Sequence, residues 1–120
     1  MLSADRFGLS AGAYTFNGTS QYMSTATSIP SPGPSVFSIS VWFKTTTTSG
    51  GKIVGFGNAQ TGTSGNYDRH IYMNNSGQLI FGVYTGSVKT IKTTTAFNDD
   101  NWHNAVAVLS ANGMKFYVDG

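Results

Sequence analysis

Val36-Phe37-Ser38-Ile39-Ser40-Val41-Trp42-Phe43-Lys44 is the stretch that decides the fold. Phe37, Ile39, Val41 and Phe43 recur at period two, with Ser38, Ser40 and Lys44 between them, which is the spacing of a half-buried strand rather than a helix. Trp42 falls on the polar side and needs a covering loop, neighbour or partner, or else stays exposed. The same alternation recurs outward from this stretch. Tyr14 and Phe16 precede Asn17-Gly18, and residues 21–25 follow, which predicts a hairpin. Residues 53–56 form a short strand after Ser49-Gly50-Gly51. Residues 67–74 alternate Arg69, Ile71 and Met73 against Asp68, His70 and Tyr72, and the turn Asn75-Ser76-Gly77 leads into residues 79–84. Residues 88–93, 102–109 and 114–118 complete the set, the last two joined across Asn112-Gly113, a dipeptide suited to a type I′ turn. Strands separated by turn signals at short intervals predict an all-β sandwich or jelly roll.

Composition agrees. The 120 residues are rich in Gly, Ser, Thr and Asn, and 39% hydrophobic against 10% charged, which suits one folded domain poor in helix formers. Seven basic residues against five acids give a net charge of +2, too little for a dense phosphate-binding face, so no nucleic-acid partner is expected. The absence of Cys excludes disulfides, thiolate nucleophiles and thiolate zinc sites. No apolar run has the length of a membrane span, and residues 1–10 lack the pattern of a signal peptide, so no membrane insertion is expected. Residues 28–35, with Pro30, Pro32 and Pro34, predict an extended surface loop, and residues 58–66 a mobile, exposed Gly, Thr and Ser loop. Asp119-Gly120 is a hairpin-turn signal at the end of a strand. Residues 1–120 therefore read as a single domain lacking its final strands, with an edge open to self-association.

Several segments then line up in order: Ala13-Tyr14-Thr15-Phe16-Asn17-Gly18, Phe37-Ser38-Ile39-Ser40-Val41-Trp42-Phe43, Ile53-Val54-Gly55-Phe56-Gly57, Gly77-Gln78-Leu79-Ile80-Phe81-Gly82-Val83, Trp102-His103-Asn104-Ala105-Val106-Ala107 and Phe116-Tyr117-Val118-Asp119-Gly120. This order resembles the laminin-G-like modules of the concanavalin A-like lectin and glucanase superfamily, of the bacterial type appended to large secreted or surface proteins. The resemblance implies an all-β, antiparallel two-sheet jelly-roll sandwich that is usually non-catalytic and binds carbohydrate or protein, or spaces other domains. It also implies further strands after the turn at Asp119-Gly120. Family members often carry a second acid after the turn matched by Phe16-Asn17-Gly18; this chain has Ser20-Gln21-Tyr22, which argues against a calcium role there.

The chemistry-bearing residues narrow the function. Retaining glycosidases need two carboxyl groups about 5–5.5 Å apart, and those with this fold carry two Glu on one strand; this chain has no Glu. No G-x-S-x-G elbow accompanies His70 or His103, so neither is read as part of a hydrolytic triad. Asp99 and Asp100, with Asn98 and Asn101, carry oxygen ligands of the kind calcium takes, but an Asx-rich turn is the commoner use of such residues, and no cofactor is expected. Sugars offer apolar C–H faces to aromatic rings and hydroxyls to polar side chains. Asn66, Asp68, His70 and Tyr72 supply both kinds on one strand and are the candidate carbohydrate-binding residues, with Trp42 and Tyr84 behind them. Alternatively, Tyr72 is a core aromatic and Asp68 the ion-pair partner of Arg69 or Lys52. The expected function is a carbohydrate-binding or adhesion module of a larger extracellular or cell-surface protein, its partner a glycan or an extracellular protein. The alternative is a structural or protein-interaction module of a surface or virion protein, with no glycan ligand.

Overall fold

The computed structural model describes residues 1–25 and 33–120. Most of the proline-rich loop expected over residues 28–35 lies outside the described residues. The strands are β1 (Leu2–Ser3), β2 (Ala13–Tyr14), β3 (Phe37–Phe43), β4 (Gly51–Gly57), β5 (Tyr67–Met73), β6 (Gln78–Tyr84), β7 (Val88–Ala96), β8 (His103–Ser110) and β9 (Gly113–Val118). No helix occurs among the described residues. The chain is all-β, as its composition and alternation predict.

β3, β8 and β9 form one antiparallel sheet in the order β3-β8-β9, and β4 to β7 form a second in sequence order. The inward residues of both sheets interdigitate, as the two faces of a sandwich must to bury apolar surface. Phe43, Ala105, Ala107 and Leu109 come from the first sheet, and Ile71, Met73, Leu79, Phe81 and Val83 from the second. Phe37, Ile39, Val41, Phe116 and Val118 close the cluster from the side of the three-stranded sheet. Phe81 is completely buried and touches that sheet through Phe37, at 6.1 Å between ring centroids, and Phe116, at 6.0 Å.

Three local expectations are corrected. Residues 14–25 do not make a hairpin: β2 pairs back to β1, with Leu2 opposite Tyr14. The Asn17 side-chain oxygen takes the N–H groups of Thr19, Ser20 and Gln21, satisfying with one side chain the donors that a strand ladder would have used. The β8–β9 reversal is not type I′. Ser110 pairs with Gly113 around Ala111 and Asn112, and among these residues only Gly113 has a positive φ, at 95°. A type I′ turn would need positive φ at both central residues.

The third correction bears on the site. Between β4 and β5, Val54 pairs with Ile71 and Phe56 with Asp68, so β5 carries one extra residue between Asp68 and Ile71. That bulge sits at Arg69, whose φ is 50°. A bulge reverses the alternation on its far side. His70 and Tyr72 keep the outward face, but Asp68 falls opposite Phe56, which packs on Phe37, and Tyr67 takes the outward place. The stacking of Tyr67 on His70, 5.2 Å apart, follows from it.

Candidate functional site

The bulge at Arg69 builds one end of the four-stranded sheet. A left-handed φ at a non-glycine residue costs about 1–2 kcal/mol and persists only where its surroundings hold it. Arg69 is held firmly. Its guanidinium pairs with Asp68, its Nε donates to the Pro34 carbonyl at 2.7 Å, and only 3% of the residue is exposed. Burial lowers the pKa of Arg69 from its ordinary value, although no accessible pH removes its charge. Gly33 is needed beside it, because a Cβ there would lie 2.8 Å from Arg69 Cδ and 3.0 Å from the Phe56 ring.

Asp68 is almost fully used by the protein. Its Oδ1 accepts the N–H of Arg69 at 2.6 Å and that of Tyr84 at 2.7 Å, and its Oδ2 takes the guanidinium. A carboxylate offers about four acceptor positions, so little remains for a ligand. Of the two alternatives the sequence leaves for this residue, the geometry shows the ion pair with Arg69. Through Tyr84, Asp68 also ties the start of β5 to the end of β6.

Above this ion pair lies an open cavity of about 640 Å³. Tyr67 and Tyr84 stand on its walls with 65% and 55% of their surface exposed. Asn66, Ser35 and, from the β6–β7 turn, Thr85 and Gly86 also line it. Asn66 is anchored by its backbone, which donates to Asn58 Oδ1 at 3.0 Å and accepts the Asn58 N–H at 3.1 Å, so the loop 58–66 is pinned at its neck. A cavity lined by two exposed tyrosines, an ion pair, an amide and hydroxyls can meet a ring that has one apolar and one hydroxylated face.

The structure therefore brings Asn66 and Asp68 together at the cavity and places His70 and Tyr72 farther along the outward face of β5. His70 lies across Gly55, where a Cβ would come within 2.1 Å of its ring, and its Nε2 is 3.2 Å from the Phe56 carbonyl. Burial lowers the His70 pKa, the charge of Lys52 lowers it further, and the hydrogen bond with Phe56 opposes both. His70 is thus a neutral support beneath Tyr67 at neutral pH. Tyr72 is half-buried, leaning over Gly82 rather than entering the core. Tyr67 escaped the sequence reading because strict alternation put it on the inner face; a polar Asp-Arg pair interrupting a strand was the available signal for a bulge. Trp42 is 45% exposed, with the Arg6 guanidinium 4.5 Å from its ring centre, so the N-terminal loop supplies a partial cover.

A second polar cluster occupies the opposite sheet. His103 lies between Asp119, 2.7 Å from Nδ1, and Asp99, 2.9 Å from Nε2. Burial lowers the His103 pKa, but hydrogen bonds and charge attraction from both aspartates outweigh it and the net shift is upward. Asp99 is held well below the usual carboxylate range by hydrogen bonds from Asn101 and His103. For Asp119 burial pulls upward, but His103 and the Asn104 N–H carry its pKa below the usual value. With both ring nitrogens committed to carboxylates, His103 has no free nitrogen to take a proton from a nucleophile. Asp100 pairs with Lys44 at 3.6 Å. The acids considered for calcium thus serve a turn and a charge cluster, and among the described residues no three His or acid side chains gather as metal ligands.

A laminin-G family model, described as the concanavalin A-like lectin/glucanases superfamily, matches residues 17–120. No curated protein and no solved structure matches the chain.

Proposed function

The chain belongs to the laminin-G-like family of the concanavalin A-like lectin/glucanases superfamily, and from that membership we propose that it is a non-catalytic carbohydrate-binding module of a larger protein acting outside the cell or on its surface. The observation that carries this reading is the cavity lined by Tyr67 and Tyr84 together with Asn66, Ser35 and the Asp68–Arg69 pair. The tyrosines stack on the apolar faces of a sugar, and the polar lining groups meet its hydroxyls. Asp68 acts mainly by positioning, since three hydrogen bonds already occupy it.

The acids support the absence of catalysis. Asp68 is paired with Arg69, Asp99 and Asp119 with His103, and Asp100 with Lys44, while Asp5 accepts the N–H groups of Phe7 and Leu9. No pair of uncommitted carboxyls is left to serve as acid and nucleophile. Extracellular placement is common for laminin-G-like domains, and no helix among the described residues is long and apolar enough to cross a membrane.

The test is binding to a broad glycan array, followed by calorimetry on the glycans that bind. Tyr67→Ala and Tyr84→Ala are expected to weaken binding at least tenfold each while Tyr22→Ala, in the N-terminal segment, leaves it unchanged. A folded chain that ignores every glycan would overturn the reading. A second reading, a protein-interaction module, is favoured by the outer strands: among the described residues β7 pairs only with β6 and β9 only with β8. Such edges can accept a strand from a partner. Stable self-association in sedimentation together with silence on glycans would support it.

A further inference from the structure

Where asparagine is followed by glycine, the glycine nitrogen reaches the asparagine carboxamide with the least hindrance, because glycine brings no Cβ. The chain holds two such pairs, Asn17-Gly18 and Asn112-Gly113. All four residues are exposed. Both glycines have a positive φ, 69° at Gly18 and 95° at Gly113, and the space that a Cβ would take is empty at both. The glycines are therefore alike in access, and the asparagines differ.

The Asn17 carboxamide is locked. Its Oδ1 accepts the N–H groups of Thr19, Ser20 and Gln21, each at 3.0 Å, and its Nδ2 donates to Ser20 Oγ at 3.0 Å. Turning Cγ toward the Gly18 nitrogen breaks all of these bonds. The Asn112 carboxamide makes no hydrogen bond with the described residues; only the Asn112 backbone N–H is engaged, donating to Ser110 Oγ at 3.2 Å. Gly113, opposite Ser110, belongs to the last pair of the β8–β9 ladder, where fraying costs little. Asn75 also has a side chain without a hydrogen bond to the described residues, but the attacking group there, the Ser76 N–H, is held by Asn74 Oδ1 at 3.0 Å.

We propose that Asn112 is a site of spontaneous deamidation, with water as the co-reactant, and that its isoaspartate product loosens the β8–β9 hairpin. The Gly113 nitrogen gives its proton to hydroxide and attacks Cγ of Asn112, an intramolecular step favoured by proximity. An N–Cγ bond forms, the Cγ–Nδ2 bond breaks, and the amide nitrogen leaves as ammonia after taking a proton back from water. The cyclic imide is then opened by a second water. Cleavage of its N–Cγ bond gives aspartate, and cleavage of the original peptide bond gives isoaspartate, in which the backbone runs through the side-chain carbonyl and is one atom longer. Only Ala111 and Asn112 lie between Ser110 and Gly113, so the added atom displaces the Ser110–Gly113 pair and strains the Leu109–Met114 pair beside it. Among the described residues β9 pairs only with β8, so no second neighbour holds it in register.

The experiment incubates the whole chain at mildly alkaline pH, folded and in concentrated urea, and follows both asparagines by peptide mapping, with backbone fragmentation to tell isoaspartate from aspartate. In urea the two sites should react at similar rates, since both are Asn-Gly pairs. In the folded chain Asn112 should react at least about tenfold faster than Asn17, the effect expected from the hydrogen bonds that Asn17 has to give up. Equal rates in the folded chain, or a faster Asn17, would overturn the site. The aged chain should unfold at lower urea than the fresh one, and aged Asn112→Gln should not. Freshly purified Asn112→Asp, which gains the charge without the longer backbone, should unfold with the fresh parent. If it unfolds as early as the aged chain, the charge and not the isoaspartate backbone loosens the hairpin, and that half of the proposal falls.

Discussion

His70 shows how one side chain can set the geometry of a site without offering it chemistry. Its ring fills the space that a side chain on residue 55 would need, its Nε2 meets the Phe56 carbonyl, and its upper face carries Tyr67. Gly55 is thus required by a close approach rather than by its backbone angle. Gly55→Ala is expected to cost about 1–3 kcal/mol through overpacking. In a His70→Ala background most of that cost should vanish, giving a coupling of about 0.5–3 kcal/mol in urea denaturation of the four proteins of the cycle. Independent effects at the two positions would show that the ring is not the obstacle. Arg69 illustrates a different balance, in which a strained φ of 50° is offset by the ion pair with Asp68 and the bond to Pro34.

Among the strands, β8 and β9 are joined by more than their ladder. His103 opens β8, Asp119 follows β9, and Asp99 belongs to the turn before β8, so one imidazolium clamps three segments. Asp119 also accepts the Asn104 N–H at 2.8 Å. The pH dependence follows from the directions of the shifts. His103 has a raised pKa in the folded chain, so its contribution is complete below about 6.5 and is lost as pH rises through the folded value. Asp99 and Asp119 have lowered values, so theirs is complete above about 3.8 and is lost as pH falls further. His70, also lowered, acts in the opposite sense to His103, withdrawing stability as pH falls below about 6.5. Thermal unfolding between pH 3 and 9 should therefore show a maximum Tm near pH 6.5. His103→Gln should lower Tm at that maximum and flatten the alkaline decline; an unchanged decline would mean that the clamp does not titrate there.

Across the whole molecule, stability depends on contact between the two sheets. Phe81 is the largest fully buried side chain among the described residues, and it reaches from β6 to Phe37 on β3 and Phe116 on β9. Phe81→Ala removes these contacts and leaves a cavity between the layers, at an expected cost of about 3–5 kcal/mol in chemical denaturation. A loss below 1 kcal/mol would mean that the sheets can close over the gap. The carboxylate cluster around His103 lies with the three-stranded sheet, and Tyr67 and Tyr84 lie with the four-stranded one.

Period-two alternation together with the turn signals was enough to specify the all-β class and the strands from β3 to β9, because most of these strands bury one face and their sequence must repeat that demand. The family resemblance was legible for the same reason, in ordered apolar strands and their turns, and the match over residues 17–120 agrees with it. Asn66 and Asp68 were legible as polar residues at the start of a strand. What no local pattern contained was the extra residue at Arg69, since a bulge is defined by the partner strand it is measured against. That single residue moved Tyr67 to the outward face and set Asp68 in the ion pair, so that Tyr67 and Tyr84 line the same cavity. The His103 clamp was hidden likewise, because its partners at residues 99 and 119 become neighbours only when β8 and β9 pair. Strand identity depends on burial at each residue, but site geometry depends on register between residues far apart in the chain, which packing alone supplies.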